Sequence, residues 1–410
     1  MSIQQLTIAM LSIHSSPNGA LGTRDTGGMS VYVNQLAREM GRNGHRVDVF
    51  THRGRPDDPP VTELAANVRL ISLDIGHGDP VTKSGLYACA DDIMAAIDDF
   101  RRRQTCDYDV IHSHYWISGH VGRMAQQSWQ RPHVVTFHTL GMLKANTGVG
   151  DAEPTRRLAV ERELVLTCQG LLAPCEGEKS NLMHYYDADE AKIAMVPGGV
   201  DRQRFRPMPQ GLARQQLGIV YPTRMLLTIG RLTPQKGQRR VVEALPHLGK
   251  TDCSQLMVVG GGRHDPEQQR LQDLAAATGV QPRVRFCGSV PHRDLPVYYA
   301  AADIVVQASH YESFGLVGLE ALACGRKVVS TPVGVMAELA RRRQPGVVLA
   351  DGSPAALAAG IAAAEKRASE WPADLIRRSV DAYGWDRSAS AALAVYRSAL
   401  QAETATATRG

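Results

Sequence analysis

The feature that most constrains this chain is a rhythm: a short apolar run, a turn bearing glycine or histidine, then a stretch of helical period, repeated along most of its length. Residues 6–13 read as a buried strand and residues 29–42 as an amphipathic helix. Strands follow at 46–51 and 68–73, a long helix at 87–103, and further strands at 110–114, 134–138, 170–173 and 193–196. The rhythm pauses over residues 197–222, where four prolines and four glycines sit among mixed charges, and this segment reads as a linker. It restarts with strands at 225–229, 256–259, 284–287, 304–307 and 327–330 and helices at 238–248, 266–278, 316–324, 355–365 and 388–400. Residues 402–410 read as a frayed polar tail.

Strands alternating with helices require a parallel sheet covered on both faces. The expected fold is therefore α/β, with two Rossmann-like doubly wound domains facing a central cleft. The first spans residues 1–200 and is joined by a C-terminal helix at about 386–403; the second spans residues 201–385. Such sheets bind ligands at the carboxyl ends of their strands, which places the site in the cleft.

Composition narrows the function classes. A chain of 410 residues with 43% hydrophobic content has ample material for two cores. No run of about 18 apolar residues is present, which argues against a membrane span. Residues 1–10 read as a first strand, not a signal peptide. Seven cysteines, odd in number and without Cys-x-x-Cys spacing, fit reduced thiols and a cytoplasmic location. The net charge of +5 is mild, and no aromatic residues are interleaved with the basic ones, so nucleic acid is not an expected partner. Arg101–Arg103 and Arg341–Arg343 read as solvated helix ends, with contact to an anionic membrane surface as the livelier alternative.

The residues with the strongest chemical pattern follow the strand at 304–307: Ser309-His310-Tyr311-Glu312-Ser313-Phe314-Gly315-Leu316-Val317-Gly318-Leu319-Glu320. Glu312 precedes a helix and Glu320 lies eight residues on, inside it. A helix N-terminus carries partial positive charge and free N–H groups, suited to phosphate or sugar oxygens. Taken alone, the two glutamates could be a helix cap and a surface charge. Gly230-Arg231-Leu232-Thr233-Pro234-Gln235-Lys236-Gly237 follows the strand at 225–229 and offers two cations at its mouth, able to neutralise a departing diphosphate.

These segments resemble the Glu-x7-Glu signature and the diphosphate-holding Gly-Arg-x-x-x-x-Lys-Gly segment of the retaining glycosyltransferases of family 4, which have the GT-B fold. The resemblance covers nearly the whole chain. It implies an enzyme that moves a hexosyl group from a nucleotide diphosphate-sugar, a UDP-sugar favoured, to a small polar acceptor. Retention and metal independence are implied too, with no cofactor beyond the substrate. His138, Glu312, Arg231 and Lys236 become the expected catalytic residues. Gly27, Gly28, Gly230, Arg231, Lys236, Gly261, Val290, Glu312, Phe314, Gly315, Leu316 and Glu320 become the expected donor-binding residues. The first domain is most similar to the branch acting on inositol phosphate, and less closely to sucrose-phosphate synthases, on His112-Ser113-His114-Tyr115-Trp116 and Gly27-Gly28-Met29-Ser30-Val31-Tyr32. That likeness offers Lys83, Tyr115, Thr139 and Arg157 as acceptor-binding residues, with Arg156 as an alternative to Arg157. A sugar phosphate or inositol phosphate is the acceptor chemistry they fit.

Metal readings are weaker. His112 and His114 share a strand face without an evident third ligand. Asp107-Tyr108-Asp109 and Asp187-Ala188-Asp189 each precede a strand, away from the cleft, and read as solvated turns. The rival functions are a nucleotide-sugar 2-epimerase, a phosphorylase-like enzyme with a lysine-bound pyridoxal group, and an inactive nucleotide-sugar-binding scaffold.

Overall fold

The computed structural model describes residues 5–19, 26–75, 82–150, 153–219, 223–249, 252–262 and 264–407, the last four as backbone. Two sheets organise them. The first contains β1 (Thr7–Leu11), β2 (Arg46–His52), β3 (Val61–Ala65), β4 (Val68–Leu73), β5 (Val110–His114), β6 (His133–Thr136), β7 (Gly170–Ala173) and β8 (Ile193–Met195) in the order β3-β4-β2-β1-β5-β6-β7-β8. Its pairings are parallel except β3 on β4. The second contains β9 (Met225–Ile229), β10 (Gln255–Val259), β11 (Val284–Gly288), β12 (Ile304–Gln307), β13 (Lys327–Ser330) and β14 (Val347–Leu349), parallel throughout, in the order β11-β10-β9-β12-β13-β14.

Successive strand residues point to opposite faces, so a central strand must be apolar on both. In β1, Ile8 and Met10 pack with Val33, Leu36 and Met40 of the Gly28–Arg42 helix. Ala9 and Leu11 pack on the other face with Ile93, Ile97, Ile117 and Val121. The final helix, Trp385–Ala407, returns to the first sheet and adds Ala389, Ala392, Leu393 and Tyr396 to the first of these clusters. There the Tyr396 hydroxyl meets His112 Nδ1 at 2.6 Å.

Four expectations need correction. The helix expected over 87–103 is two helices, Lys83–Ala88 and Ala90–Arg103, the first capped by Thr82. The segment read as a linker contains the Gln210–Gln216 helix, which buries Ala213 and whose Arg214 pairs with Asp303 at 2.7 Å. A helix of two turns is too short to show a period, and its flanking prolines masked it. The tail expected from 402 is helical through Ala407. The antiparallel strand β3 and the edge strand β14 were absent from the expected set.

In both sheets the chain order reverses beside the first strand, between β1 and β5 and between β9 and β12. These are the topological switch points of doubly wound sheets, and the loops leaving those strands line the crevice where such folds bind ligands. Among the described residues no helix is long and apolar enough to cross a membrane.

Candidate active site

On the second-domain side, β9 ends at Ile229 and the backbone turns through Gly230 into Arg231. A single turn, Pro234–Lys236, delivers Lys236 beside the loop leaving β12. Gly237 makes this possible: its φ is +67°, and a Cβ there would lie 2.0 Å from the Ala308 carbonyl oxygen. Lys236 Nζ meets Glu312 Oε1 at 2.6 Å, and the Ser309 hydroxyl donates to the same oxygen at 2.7 Å. The His310 N–H donates to the Gln235 carbonyl at 2.8 Å, stitching the two loops together. Gly315, with φ +99°, then opens the Leu316–Ala323 helix toward the cleft.

The first domain presents bare backbone opposite this cluster. A Cβ added at Gly27 would lie 3.4 Å from Arg231 Nε, and one added at Gly28 would lie 3.7 Å from Leu316 Cδ1. Arg231, Lys236, Glu312, Gly315 and Leu316 therefore gather on one wall, with Gly27 and Gly28 on the other. Phe314 is different: its buried ring lies 6.2 Å from that of Tyr383, so its side chain packs in the core. Glu320 is buried, with Oε1 2.6 Å from His292 Nε2 and Oε2 accepting from the Tyr299 hydroxyl at 2.7 Å. Gly230 and Gly261 leave adjacent strands, and Gly260 bonds Gly288 across to β11, two residues before the half-buried Val290.

His138 lies two residues beyond β6, not at the end of that strand, in the left-handed region with φ +60°. Histidine is among the non-glycine types that tolerate this conformation, and Tyr115, after β5, shares it. Its Nε2 shares a 2.8 Å hydrogen bond with His114 Nδ1, and its ring packs edge-on to Tyr32 at 5.1 Å. Burial pushes its pKa down to about 3, so it is neutral across the working range. His112 has both nitrogens engaged, by Thr136 and Tyr396, which leaves no lone pair for a metal. No group of three or more His, Cys, Asp or Glu able to hold a metal occurs among the described residues. Asp109 accepts from the Thr7 N–H at 2.7 Å, at the start of β1 and remote from the strand's carboxyl end.

Lys83, Tyr115, Thr139 and Arg157 come together although they are spread over the sequence. Arg157 is buried and its Nη1 donates to the Tyr115 hydroxyl at 3.2 Å. Its Nη2 donates to the Thr139 carbonyl and hydroxyl at 2.7 and 3.1 Å. Its remaining donors meet Glu153 and Glu161, each at 2.7 Å. Burial alone would raise the Glu153 pKa, yet Arg157 and Lys144 together pull it below the ordinary value. Exposed Lys83 places its ammonium 5.8 Å from the Tyr115 ring centroid. Arg156, the alternative to Arg157, is exposed and lies over the Tyr87 ring, its guanidinium carbon 5.7 Å from the centroid.

Sequence reasoning missed His14. It follows β1 at the first switch point, is buried, and lies 4.3 Å ring to ring from Tyr115. Burial first, then the charges of Lys83 and Arg231, hold its pKa well below the ordinary value. The signal was its place: a histidine directly after the first strand of a doubly wound sheet.

Two facing doubly wound domains with a cation-bearing, helix-opening wall in the cleft define a GT-B glycosyltransferase. The comparisons agree. Residues 26–204 match the model for Glycosyltransferase Family 4 and residues 210–379 that for Glycosyl transferases group 1. The D-inositol 3-phosphate glycosyltransferase of Acidothermus cellulolyticus is 37% identical over 98% of this chain and 92% of its own length. That of Geodermatophilus obscurus is 36% identical over 98% and 91%. Among solved structures, a sucrose-phosphate synthase from Thermosynechococcus elongatus superposes with a TM-score of 0.88 at 28% identity, covering 97% of this chain and 100% of that one. Anabaena HepE, solved with UDP and glucose, shares the fold with a TM-score of 0.75 at 19% identity, covering 96% of this chain and 100% of its own. The chain belongs to the family 4, group 1 glycosyltransferases, and it is an enzyme of that kind.

Proposed function

We propose that this enzyme transfers a hexosyl group from a nucleotide diphosphate-sugar, a UDP-sugar first among them, to an inositol phosphate or sugar phosphate. Transfer proceeds with retention of the anomeric configuration and without a metal. The observation that carries this reading is the wall formed by Arg231, the Lys236–Glu312 pair and the helix opened by Gly315, set against Gly27 and Gly28. Arg231, Lys236 and that helix start supply positive charge where a diphosphate leaves, and Gly27 and Gly28 let the opposite backbone approach it. Glu312, held by Lys236 and Ser309, presents acceptor oxygens to the sugar hydroxyls. Glu320, already accepting two hydrogen bonds, is placed to exchange one for a ribose hydroxyl.

The residue set against the donor sugar, His138, is an imidazole and not the carboxylate that acts as nucleophile in a double displacement, which favours front-face departure and attack. In that route a donor phosphate oxygen takes the acceptor proton. Domain closure keeps water from competing. On the acceptor side, Arg157 fixes Tyr115 and Thr139, and exposed Lys83 offers its ammonium to a phosphomonoester.

The test is a thermal-shift screen of UDP-, GDP- and ADP-sugars, followed by transfer to inositol 3-phosphate and sugar phosphates with the product anomer read by NMR. A ligand at 100 times its dissociation constant adds about 2.7 kcal/mol, readily seen as a shift. An inverted product, or a nucleotide-sugar converted with no acceptor present, would sink the proposal. Full activity is expected in EDTA, because arginine, lysine and a helix N-terminus take the metal's role; activity lost in chelator and restored by manganese would reverse that reading.

A further inference from the structure

We infer that Glu178 is a positioning residue for the donor site: through Tyr311 it ties the placement of Glu312 to contact between the two domains. The inference rests on the donor-site reading of Glu312 given above. Glu178 lies on the first-domain helix Glu176–Tyr186 and is 3% exposed. Tyr311, the residue before Glu312, crosses from the second domain and donates to Glu178 Oε2 at 2.8 Å, while its oxygen accepts from the Leu140 N–H at 3.4 Å. Ser313, the residue after Glu312, has its carbonyl bonded by the Cys175 thiol at 3.1 Å. Both neighbours of Glu312 are thus held by the first domain. Gln235, the neighbour of Lys236, donates across to the Val149 carbonyl in the same way.

A carboxylate is a costly choice for packing alone. Glu178 has no cation within ion-pair distance among the described residues, and its Oε1 and the Ser313 hydroxyl are both buried without hydrogen-bond partners. The groups facing it are Tyr311 and Ser313 from the loop, Glu161 and Arg157 from the Thr155–Thr167 helix, and the Cys175 thiol at the start of its own helix. Burial, reinforced by the charge of Glu161 and only partly offset by the Tyr311 hydrogen bond and the Arg157 charge, pushes its pKa from 4.5 up to about 7. When the domains separate, water returns to the carboxylate and the ordinary value is restored. The closed form therefore binds the proton more tightly. Closing takes up a proton between pH 4.5 and 7, and above about 7 it carries the full penalty of burying the anion. Closure is favoured on the acid side and opposed on the alkaline side.

The experiment measures kcat and donor KM from about pH 4.5 to 8, with UDP binding in parallel, for wild type, Glu178→Ala, Glu178→Gln, Tyr311→Phe and the Ala/Phe double variant. Expected for Glu178→Ala and Tyr311→Phe is a kcat lower by roughly tenfold or more with UDP affinity changed by less than about threefold, and a double variant no worse than either single. Glu178→Gln, which keeps an acceptor for the Tyr311 hydroxyl, should retain kcat but lose the decline that wild type shows as pH rises toward about 7 and that levels off above it. Wild-type kcat in both single variants, multiplicative losses in the double, or an unchanged pH profile in Glu178→Gln would each overturn the inference. A wild type that transfers no sugar from any nucleotide donor would instead bring down the donor-site reading itself.

Discussion

Replacing Lys236 by alanine is expected to slow sugar transfer at least a hundredfold at saturating donor. The charge that grows on the leaving diphosphate must be met by groups already in place. In this cleft those are Arg231, Lys236 and the start of the Leu316–Ala323 helix. Removing one preorganised group of this kind raises the barrier by about 3–4 kcal/mol, which sets the scale of the loss. The substitution also frees Glu312, whose Oε1 lies 2.6 Å from the ammonium, so an unbalanced carboxylate is left facing an anionic donor. Both effects fall on the same step, and kcat should fall more than donor affinity. Steady-state rates for Lys236→Ala, with UDP binding measured alongside, check this. Near-wild-type turnover would remove Lys236 from the mechanism.

Arg157→Ala is expected to cost stability before it costs anything else. The side chain is 1% exposed, Glu161 beside it is fully buried, and Glu153 is nearly so. Removing one member of a buried charge network leaves its partners uncompensated, typically a loss of about 3–5 kcal/mol. For a domain of this size that corresponds to a melting temperature lower by on the order of 10 °C. Lys144 still reaches Glu153, but Glu161 would keep only the Tyr186 hydroxyl and the Gly141 N–H. Denaturant titration of the variant measures the loss; an unchanged midpoint would mean that the carboxylates do not depend on Arg157. Lys83→Ala offers the contrast. It is exposed, so stability should stay within about 0.5 kcal/mol, while the KM for a phosphorylated acceptor rises roughly tenfold or more. An unchanged acceptor KM would exclude Lys83 from the acceptor site.

The parts of this molecule that were legible in the sequence are those whose signal is local. The strand before Gly230, the glycines around Lys236 and the eight-residue interval from Glu312 to Glu320 are local patterns that survive without coordinates, and it was their resemblance to family 4, not spacing by itself, that read them as a donor site. The Gln210–Gln216 helix was lost because two turns between prolines show no period. The break at Cys89 was lost because the apolar pattern runs on through it. Arg157 could be proposed as a phosphate ligand, but its saturation by Glu153, Glu161, Tyr115 and Thr139 depends on how a helix meets three other segments. Tyr311 and Glu178 lie 133 positions apart, and no periodicity links residues at that distance. His14 was legible in principle, since the first switch point of a doubly wound sheet is predictable from strand order.

The most direct measurement follows the donor by phosphorus NMR and the product's anomeric proton by proton NMR, with and without inositol 3-phosphate or a sugar phosphate. A diphosphate-gripping cleft should release nucleoside diphosphate in step with a new glycoside, only when acceptor is present, and with the donor's anomeric configuration kept. Donor left intact across the acceptor panel, or sugar rearranged in the absence of any acceptor, would contradict it.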